Sequence, residues 1–103
     1  MQPFTARTIE IIASIPPGKV MTYGQIAAAA GSPRAARQIV RILHSMSGKY
    51  RLPWHRVVNA KGEIALQDEE SSQEQQWNLE AEDVEVLPGG RIDLARYQYF
   101  PES

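Results

Sequence analysis

The sequence predicts a mainly α-helical fold with a small β-hairpin, arranged as a winged helix-turn-helix domain. Two helical stretches separated by a short turn at Gly31 give the helix-turn-helix. An apolar segment at 57–58, a turn ending at Gly62 and a second apolar segment at 63–65 give the hairpin that would form the wing. The second helix of the pair has a basic face without any acidic residue. Together these features are typical of a domain that contacts nucleic acid.

The first predicted helix lies near the N-terminus. Its apolar side chains recur near helical spacing, at Phe4, Ile9, Ile12 and Ile15. Thr5 is the expected N-cap, because its hydroxyl can accept a hydrogen bond from a backbone N–H of the first turn. The Pro-Pro-Gly sequence at 16–18 cannot continue a helix and ends it.

The second and third helices are predicted from their end signals. Thr22 starts the second helix, with Gln25 placed to complete a capping box, and Gly31 ends it. Ser32 followed by Pro33 is a further start signal, because proline fits the first position of a helix. The third helix is therefore expected over about 33–46.

This third helix separates two kinds of side chain. Its apolar face comprises Ala35, Ile39, Ile42, Leu43 and Met46. Its basic face comprises Arg34, Arg37, Arg41 and His44. Because a solvated helix face normally mixes both signs of charge, the pattern favours contact with nucleic acid over a bland solvated surface.

The C-terminal part is predicted to cover the domain rather than to form another one. We expect a polar loop over 67–75, a helix over about 72–82 that carries Trp77, Leu79 and Ala81, and a short extended stretch over 84–87. The Pro-Gly-Gly sequence at 88–90 turns the chain into an apolar tail. The chain is thus a single domain over 1–103, with a body at about 4–87 and a docked tail over 88–103.

Charge is divided between the two halves of the chain. The net charge is −1, but residues 1–62 carry nine basic residues and one acid, or +8, whereas residues 63–103 carry two arginines and eleven acids, or −9. The basic half suggests a polyanionic partner on one face. Two oppositely charged surfaces that merely aid solubility are the alternative reading.

Composition excludes several classes of chemistry. The sequence holds no cysteine, which excludes disulfides, thiolate zinc sites and a cysteine nucleophile, and its two histidines argue against a metal site. We expect no metal and no cofactor. There is no apolar run near the roughly 20 residues that a membrane span needs, and no signal-peptide pattern. The expected location is the cytoplasm.

One motif identifies a family resemblance. The sequence Pro53-Trp54-His55-Arg56-Val57 resembles the active-site motif of O6-alkylguanine-DNA alkyltransferases, in which a cysteine stands between the proline and the histidine. With tryptophan in that position, the chain resembles the alkyltransferase-like proteins. Tyr23, the Ala35-Ala36-Arg37 segment and Asn59 lie in register, and the resemblance covers about residues 4–87. It implies the winged helix-turn-helix fold of the C-terminal DNA-binding domain of the alkyltransferases.

The substitution at Trp54 decides the expected activity. Alkyl transfer requires a thiolate that attacks the alkyl carbon, and an indole has no nucleophilic lone pair. The resemblance therefore implies a non-enzymatic sensor that binds O6-alkylguanine in double-stranded DNA by nucleotide flipping and leaves it unrepaired. An ordinary core tryptophan is the structural alternative for Trp54.

The resemblance also implies residue roles on the DNA-binding surface. The third helix would enter the minor groove, and its expected DNA-binding residues are Arg34, Ala35, Ala36, Arg37 and Arg41. Arg37 resembles the intercalating arginine of the family, with a phosphate contact as its alternative. Tyr23 resembles the tyrosine that crowds the phosphate on the 3′ side of the target nucleotide.

The remaining roles concern the pocket and its support. The expected lesion-binding residues are Tyr23, Trp54, His55, Val57 and Gln67. Val57 would lend backbone groups to the base edge. At Gln67, several alkyltransferase-like proteins have an arginine instead. The residues expected to support the fold are His55, Arg56, Asn59 and Glu82, where the His55–Glu82 pair resembles the proton relay of the alkyltransferases but has no thiol to serve.

Partners and alternatives follow from the same resemblance. The family implies that nucleotide excision repair proteins receive the complex. We expect a monomer, which fits one lesion per site, and a location with the DNA, in the nucleoid of a bacterium or the nucleus of a eukaryote. A helix-turn-helix transcription regulator that reads undamaged DNA as a dimer is the main alternative. A third class is an enzyme in which Glu82 or His55 activates water.

Overall fold

The computed structural model describes residues 2–66 and 68–101. Its helices and strands follow one another as α1 (Pro3–Ala13), β1 (Met21–Thr22), α2 (Tyr23–Ala29), α3 (Ala36–Tyr50), β2 (Val57–Val58), α4 (Glu69–Glu80) and α5 (Leu94–Tyr97). A short 3-10 helix over Trp54–Arg56 precedes β2. Along the described ranges no helix has the length and apolar character that crossing a bilayer requires.

The start of α1 differs from the prediction. The helix begins at Pro3, with Gln2 as an N-cap whose side chain makes no capping hydrogen bond. Thr5 lies inside α1, so its expected role as N-cap is wrong. Proline is tolerated in the first turn because the N–H it lacks would have no intrahelical acceptor there.

The predicted ends of α2 are confirmed. Thr22 Oγ1 accepts a hydrogen bond from the Gln25 N–H at 3.1 Å, and Gln25 Oε1 accepts one from the Thr22 N–H at 3.2 Å, which is the expected capping box. Gly31 follows the helix at φ +101°, a conformation that glycine adopts without steric cost. Arg7 Nε donates to the Ala30 carbonyl at 2.9 Å and so ties this helix end to α1.

Helix α3 keeps its two predicted faces but not its predicted bounds. It starts at Ala36 because the Ala35 N–H bonds to the Ser32 carbonyl at 3.0 Å, which makes a turn of the segment expected to begin the helix. It runs to Tyr50 and stops at Arg51, which is in the left-handed region with φ +52°. The apolar face packs into the core with Ile39 at its centre, whereas the basic face is exposed.

The small sheet is parallel, and the predicted hairpin is wrong. Strand β2 pairs with β1 in the register Met21↔Val57 and Thr22↔Val58. The expected turn after β2 does form, since the Gly62 N–H donates to the Asn59 carbonyl at 2.9 Å. However, Glu63 forms an antiparallel bridge with Arg91 instead of returning along β2. Both strands are buried, which is the usual setting of a parallel pair.

Helix α4 begins earlier than expected, so most of the predicted loop over 67–75 is helical. Asp68 Oδ2 accepts the Ser71 N–H at 2.9 Å and caps the helix, and Glu69 and Glu70 in the first turn favour its positive end. Trp77 is 63% exposed and does not anchor the helix. Leu79 and the polar Gln75 face the core instead.

The C-terminal segment packs on the body of the domain. The Val20 N–H donates to the Tyr97 carbonyl at 3.0 Å, and the Tyr99 N–H donates to the Val20 carbonyl at 2.8 Å. Ile92 and Tyr97 join Val20, Val58, Leu79 and Val84 in a second buried cluster beside the main core. This segment therefore lies beside Val20, the residue immediately before β1.

The capping box makes a prediction about stability. Thr22→Val keeps the shape of the side chain and removes its hydroxyl, so we expect a loss of about 1 kcal/mol in the free energy of unfolding. The matched control is Thr5→Val, because Thr5 lies inside α1 and caps nothing. Urea denaturation of the two variants checks this. Equal losses at both positions would show that the Thr22 hydroxyl is not a cap.

Candidate nucleic-acid interface

A cavity of about 250 Å³ opens beside α3. Helix α3 supplies one wall through residues spaced by three, four and seven positions, which places them on one stripe. The lining residues are Tyr23, Val40, Leu43, His44, Ser47, Trp54, Leu66, Ser71 and Gln75. The walls thus combine apolar and aromatic surface with a few polar groups, as is usual for small-molecule sites. The volume lies just below the roughly 300–1,000 Å³ of sites for drug-sized ligands.

Trp54 forms part of the cavity wall. It begins the 3-10 helix, where its N–H donates to the Leu52 carbonyl at 2.8 Å, and its side chain is half-buried. Its ring meets the His55 ring edge-on, with centroids 6.4 Å apart at 88°. An indole placed this way offers a flat surface for stacking and one weak N–H donor, but no nucleophile.

Gln75 holds the floor of the cavity in place. Its Nε2 donates to the His55 carbonyl at 3.1 Å and to the Val57 carbonyl at 2.9 Å, and its side chain is buried. A buried amide without partners would be costly, so these two bonds fix the Trp54 segment against α4. Sequence reasoning missed Gln75 because it lies in a polar run that predicts a solvated loop.

Glu82 is the centre of a charged cluster behind the cavity. Arg56 Nη2 donates to Glu82 Oε2 at 2.6 Å, and Arg56 Nη1 donates to the Ile15 carbonyl at 2.8 Å. His55 Nε2 lies 2.8 Å from the same carboxylate, and the Gly18 N–H donates to Oε1 at 3.1 Å. Both residues that follow Trp54 are therefore held by one carboxylate.

The hydrogen bonds outweigh the effect of burial on this carboxylate. Partial burial is the largest influence and raises the pKa of Glu82, but donation from Arg56, His55 and Gly18 together lowers the pKa to about 2. Glu82 is therefore ionised at neutral pH, and Arg56 provides the main compensating charge.

The basic face of α3 is available to a ligand. Arg37 and Arg41 on α3, and Arg34 in the turn before it, are exposed, and within residues 2–66 and 68–101 none of the three forms an ion pair. Ala36 is half-buried at the start of the helix. Ala35, expected on the DNA-binding surface, is instead buried in the core, so its side chain offers little surface for a contact. The small side chain of Ala35 packs in the same buried core cluster as Ile39.

Tyr23 lies at the junction of the cavity and the core. It is the first residue of α2, packs against the main cluster and lines the cavity. Burial raises the pKa of its phenol, so the side chain stays neutral at physiological pH.

The structure does not bring all the expected pocket residues into the cavity wall. Val57 is buried beneath it, and both backbone groups are engaged: the N–H donates to the Trp54 carbonyl and the carbonyl accepts from Gln75. A carbonyl oxygen has two lone pairs, so the expected use of the Val57 backbone by a base edge stays a prediction. His55 points to Glu82, and Asn59 closes its own turn by accepting the Glu63 N–H at 2.8 Å. Gln67 lies outside the described residues.

The cavity contains polar residues that sequence reasoning did not select. The sequence places His44 on the basic face of α3 and indicates no site role for Ser47, Ser71 or Gln75. Helical spacing could have shown that Val40, His44 and Ser47 lie on one stripe, at the boundary between the two faces of α3. In the described ranges no group of three or more His, Asp or Glu side chains is placed to hold a metal ion.

The fold and the cavity define a class of protein. A helix-turn-helix whose second helix is basic on one face is typical of a DNA-binding domain, and here an aromatic cavity lies beside that helix. The family model for the DNA-binding domain of 6-O-methylguanine DNA methyltransferase matches residues 3–84, and the chain belongs to this family.

Three comparisons place the chain among particular relatives. It is 47% identical over 96 residues to the DNA base-flipping protein of Escherichia coli, covering 93% of this chain and 74% of that protein. It is 34% identical over 106 residues to alkyltransferase-like protein 1 of Schizosaccharomyces pombe, covering 98% of each. The crystal structure of S. pombe Atl1 in complex with damaged DNA containing O6-carboxymethylguanine superposes with a TM-score of 0.87 at 34% identity, over 98% of each chain. The resemblance to the alkyltransferase-like proteins and the helix-turn-helix fold are thereby confirmed.

The Glu82 cluster makes a prediction about pH. Because the pKa of Glu82 is lower in the folded state than its ordinary value of 4.5, its contribution to stability is complete above about pH 4.5 and disappears as the pH falls towards about 2. We expect Glu82→Gln to lose about 2 kcal/mol in the free energy of unfolding at pH 7. The difference from the wild type should shrink between pH 4.5 and pH 2.

The control is the same substitution in an exposed ion pair. Glu85 lies 3.4 Å from Arg96, and both side chains are more than half exposed. Surface pairs of this kind contribute little, so Glu85→Gln should leave stability almost unchanged. Denaturant titrations across this pH range make the comparison, and a constant difference between Glu82→Gln and the wild type would contradict the assignment.

Proposed function

We propose that this protein binds O6-alkylguanine in double-stranded DNA by flipping the damaged nucleotide into the cavity beside α3, and holds it without removing the alkyl group. The observation that carries the proposal is the position of Trp54. Its indole lies in the wall of a base-sized cavity, next to an exposed basic helix face. The names of the relatives, a DNA base-flipping protein and an alkyltransferase-like protein, support the same reading.

The DNA-binding step uses the exposed arginines of α3. Guanidinium groups without protein partners are suited to phosphate contacts, which supply most of the non-specific affinity. Arg37, in the first turn of α3, enters the minor groove and fills the gap left by the flipped nucleotide. Its planar guanidinium can stack on the neighbouring bases, which an ammonium group cannot do equally well.

The flipping step is favoured for a damaged base. Extruding a nucleotide costs a few kcal/mol, and less when its pairing is already weakened. Alkylation at O6 removes a normal pairing edge of guanine, so the lesion opens more easily. Stacking of the base against an aromatic side chain returns about 1–3 kcal/mol, and Trp54 and Tyr23 both line the cavity.

The bound lesion stays chemically intact. Transfer needs a thiolate to attack the alkyl carbon, and the sequence contains no cysteine. The residues expected to activate water in an enzyme, His55 and Glu82, lie 2.8 Å from each other, and Glu82 also binds Arg56. These contacts support a structural role for the pair rather than activation of water.

A lesion that is bound but not repaired requires another protein to process it. We propose that nucleotide excision repair proteins receive the complex, and that the chain acts as a monomer on one lesion wherever the DNA is, in the nucleoid or the nucleus. The acidic half of the chain, with a charge of −9 over residues 63–103, is a candidate surface for that partner.

Paired DNA titrations test the binding proposal. A duplex with a single O6-methylguanine should bind more tightly than the same duplex with guanine, because only the damaged pair is weakened, and both molecules should keep their masses afterwards. Fluorescence titration followed by mass spectrometry makes the measurement. Equal affinities would favour a regulator of undamaged DNA. A methyl mass gained by the protein, or a base lost from the DNA, would show an enzyme.

Arg37→Lys separates insertion from phosphate contact. The lysine keeps the charge but loses the planar fork, so binding to unmodified DNA and its salt dependence should stay near wild type. Affinity for the O6-methylguanine duplex should fall about tenfold or more. Arg41→Lys is the matched control and should retain both properties. A similar loss of lesion preference in both variants would assign Arg37 to the phosphate backbone.

A further inference from the structure

The two histidines of the chain have different surroundings. His55 lies 2.8 Å from Glu82, and its side chain is only 14% exposed. His44 lies on α3, is exposed, and forms no ion pair within residues 2–66 and 68–101. In either protonation state an imidazole ring has at least one N–H donor. His44 therefore presents an N–H donor at the surface that no ion pair occupies.

His44 lies where the basic face of α3 meets the cavity. It follows Arg37 by seven positions and Arg41 by three, so the three residues share one side of the helix. Among the four basic-face residues, all of them within the described ranges, His44 alone also lines the cavity. Val40, one turn earlier on α3, lines the cavity as well and is 45% exposed. Val40 and His44 therefore form part of the rim through which a ligand enters.

A nucleotide that flips into the cavity has to cross this rim. Its base lies inside, whereas its two flanking phosphates remain in the DNA strand outside, so these phosphates lie close to the rim. The orientation of the base within the cavity does not affect this connectivity. Along the described ranges no carboxylate lines the cavity, so a phosphate at its rim meets no like charge there.

We propose that His44 binds one of the two phosphates that flank the flipped nucleotide, and is thereby a specificity-determining residue. The inference rests on the proposed function, since the phosphate reaches the rim only when its base lies in the cavity. A hydrogen bond from an N–H to a charged phosphate oxygen is stronger than one between neutral groups. His44 therefore adds affinity for DNA with a flipped nucleotide and little for an intact duplex. Arg37 and Arg41 do not line the cavity and contact both kinds of DNA.

His44→Phe separates the N–H donor from the cavity wall. Phenylalanine keeps a flat ring and lacks both ring nitrogens, so apolar contacts with a bound base remain. We expect affinity for the O6-methylguanine duplex to fall about tenfold or more, the usual effect of losing a hydrogen bond to a charged group. Affinity for the guanine duplex should change by less than about twofold. Because His44 is exposed, the melting temperature without DNA should stay near that of the wild type.

Neutral phosphates in the DNA identify the group that His44 binds. A methylphosphonate has a methyl group in place of one non-bridging oxygen and carries no charge. It is introduced in turn at each phosphate flanking O6-methylguanine, and separately at a position several base pairs away. At one flanking position the wild-type protein should lose about tenfold more affinity than His44→Phe, because the variant has no hydrogen bond to lose. At the distant position both proteins should lose the same amount.

Arg41→Ala is the matched control, since it removes a cation from the same side of α3 without changing the cavity wall. It should weaken binding to damaged and undamaged duplexes alike. It should also keep the full loss of affinity caused by the flanking methylphosphonate. If Arg41→Ala abolishes that loss and His44→Phe does not, Arg41 binds the phosphate and the proposal is wrong.

The outcomes distinguish failure of this inference from failure of the proposed function. If O6-methylguanine binds no better than guanine, the proposed function fails, and the role of His44 fails with it. If the lesion does bind better, but His44→Phe keeps that preference or shows no coupling to either flanking phosphate, His44 is only part of the cavity wall. An equal loss by His44→Phe for damaged and undamaged duplexes also overturns the proposal, because His44 would then be a general DNA contact.

Discussion

The position of the Trp54 segment depends on one carboxylate. Glu82 accepts hydrogen bonds from Arg56 and from the Gly18 N–H, and it contacts His55. These contacts join three parts of the chain that are remote in sequence: the turn after α1, the 3-10 helix and the end of α4. A partly buried charge is favourable here because several donors replace the water it loses. The cluster therefore holds the two residues that follow Trp54, and the two Gln75 hydrogen bonds hold the same segment against α4.

Helix α3 has three different surfaces around its axis, and each has a different role. One face packs Ile39 into the core, a second presents Arg37 to solvent, and the boundary between them forms a cavity wall from Val40 to Ser47. The proposed DNA-binding surface and the proposed base-binding cavity therefore share a single helix, which fixes their relative position. Groups that are already in position before binding lower its conformational cost.

Helical features in the first half of the chain could be predicted because their determinants are local. The capping box at Thr22, the stop at Gly31 and the two faces of α3 all depend on residues within a few positions of one another. The start of α4 also has a local signal, an N-cap at Asp68 followed by two glutamates in the first turn. The polar residues that follow predict a loop, so this helix start was missed. The pairing of the two β-strands could not be predicted from local sequence patterns, because Val57 and Val58 pair with Met21 and Thr22, which lie far earlier in the chain.

The family, the tryptophan at position 54 in place of a cysteine and the basic face of α3 could all be predicted from the amino-acid sequence, because they depend only on residue type and spacing. The tertiary structure decided which side chains meet. It buried Ala35 and Val57, directed His55 to Glu82, and brought Ser47, Trp54 and Gln75 around one cavity. These contacts form between segments that are distant in the chain. Neither the periodicity of a segment nor its motif indicates which distant residue will complete its hydrogen bonds and its packing.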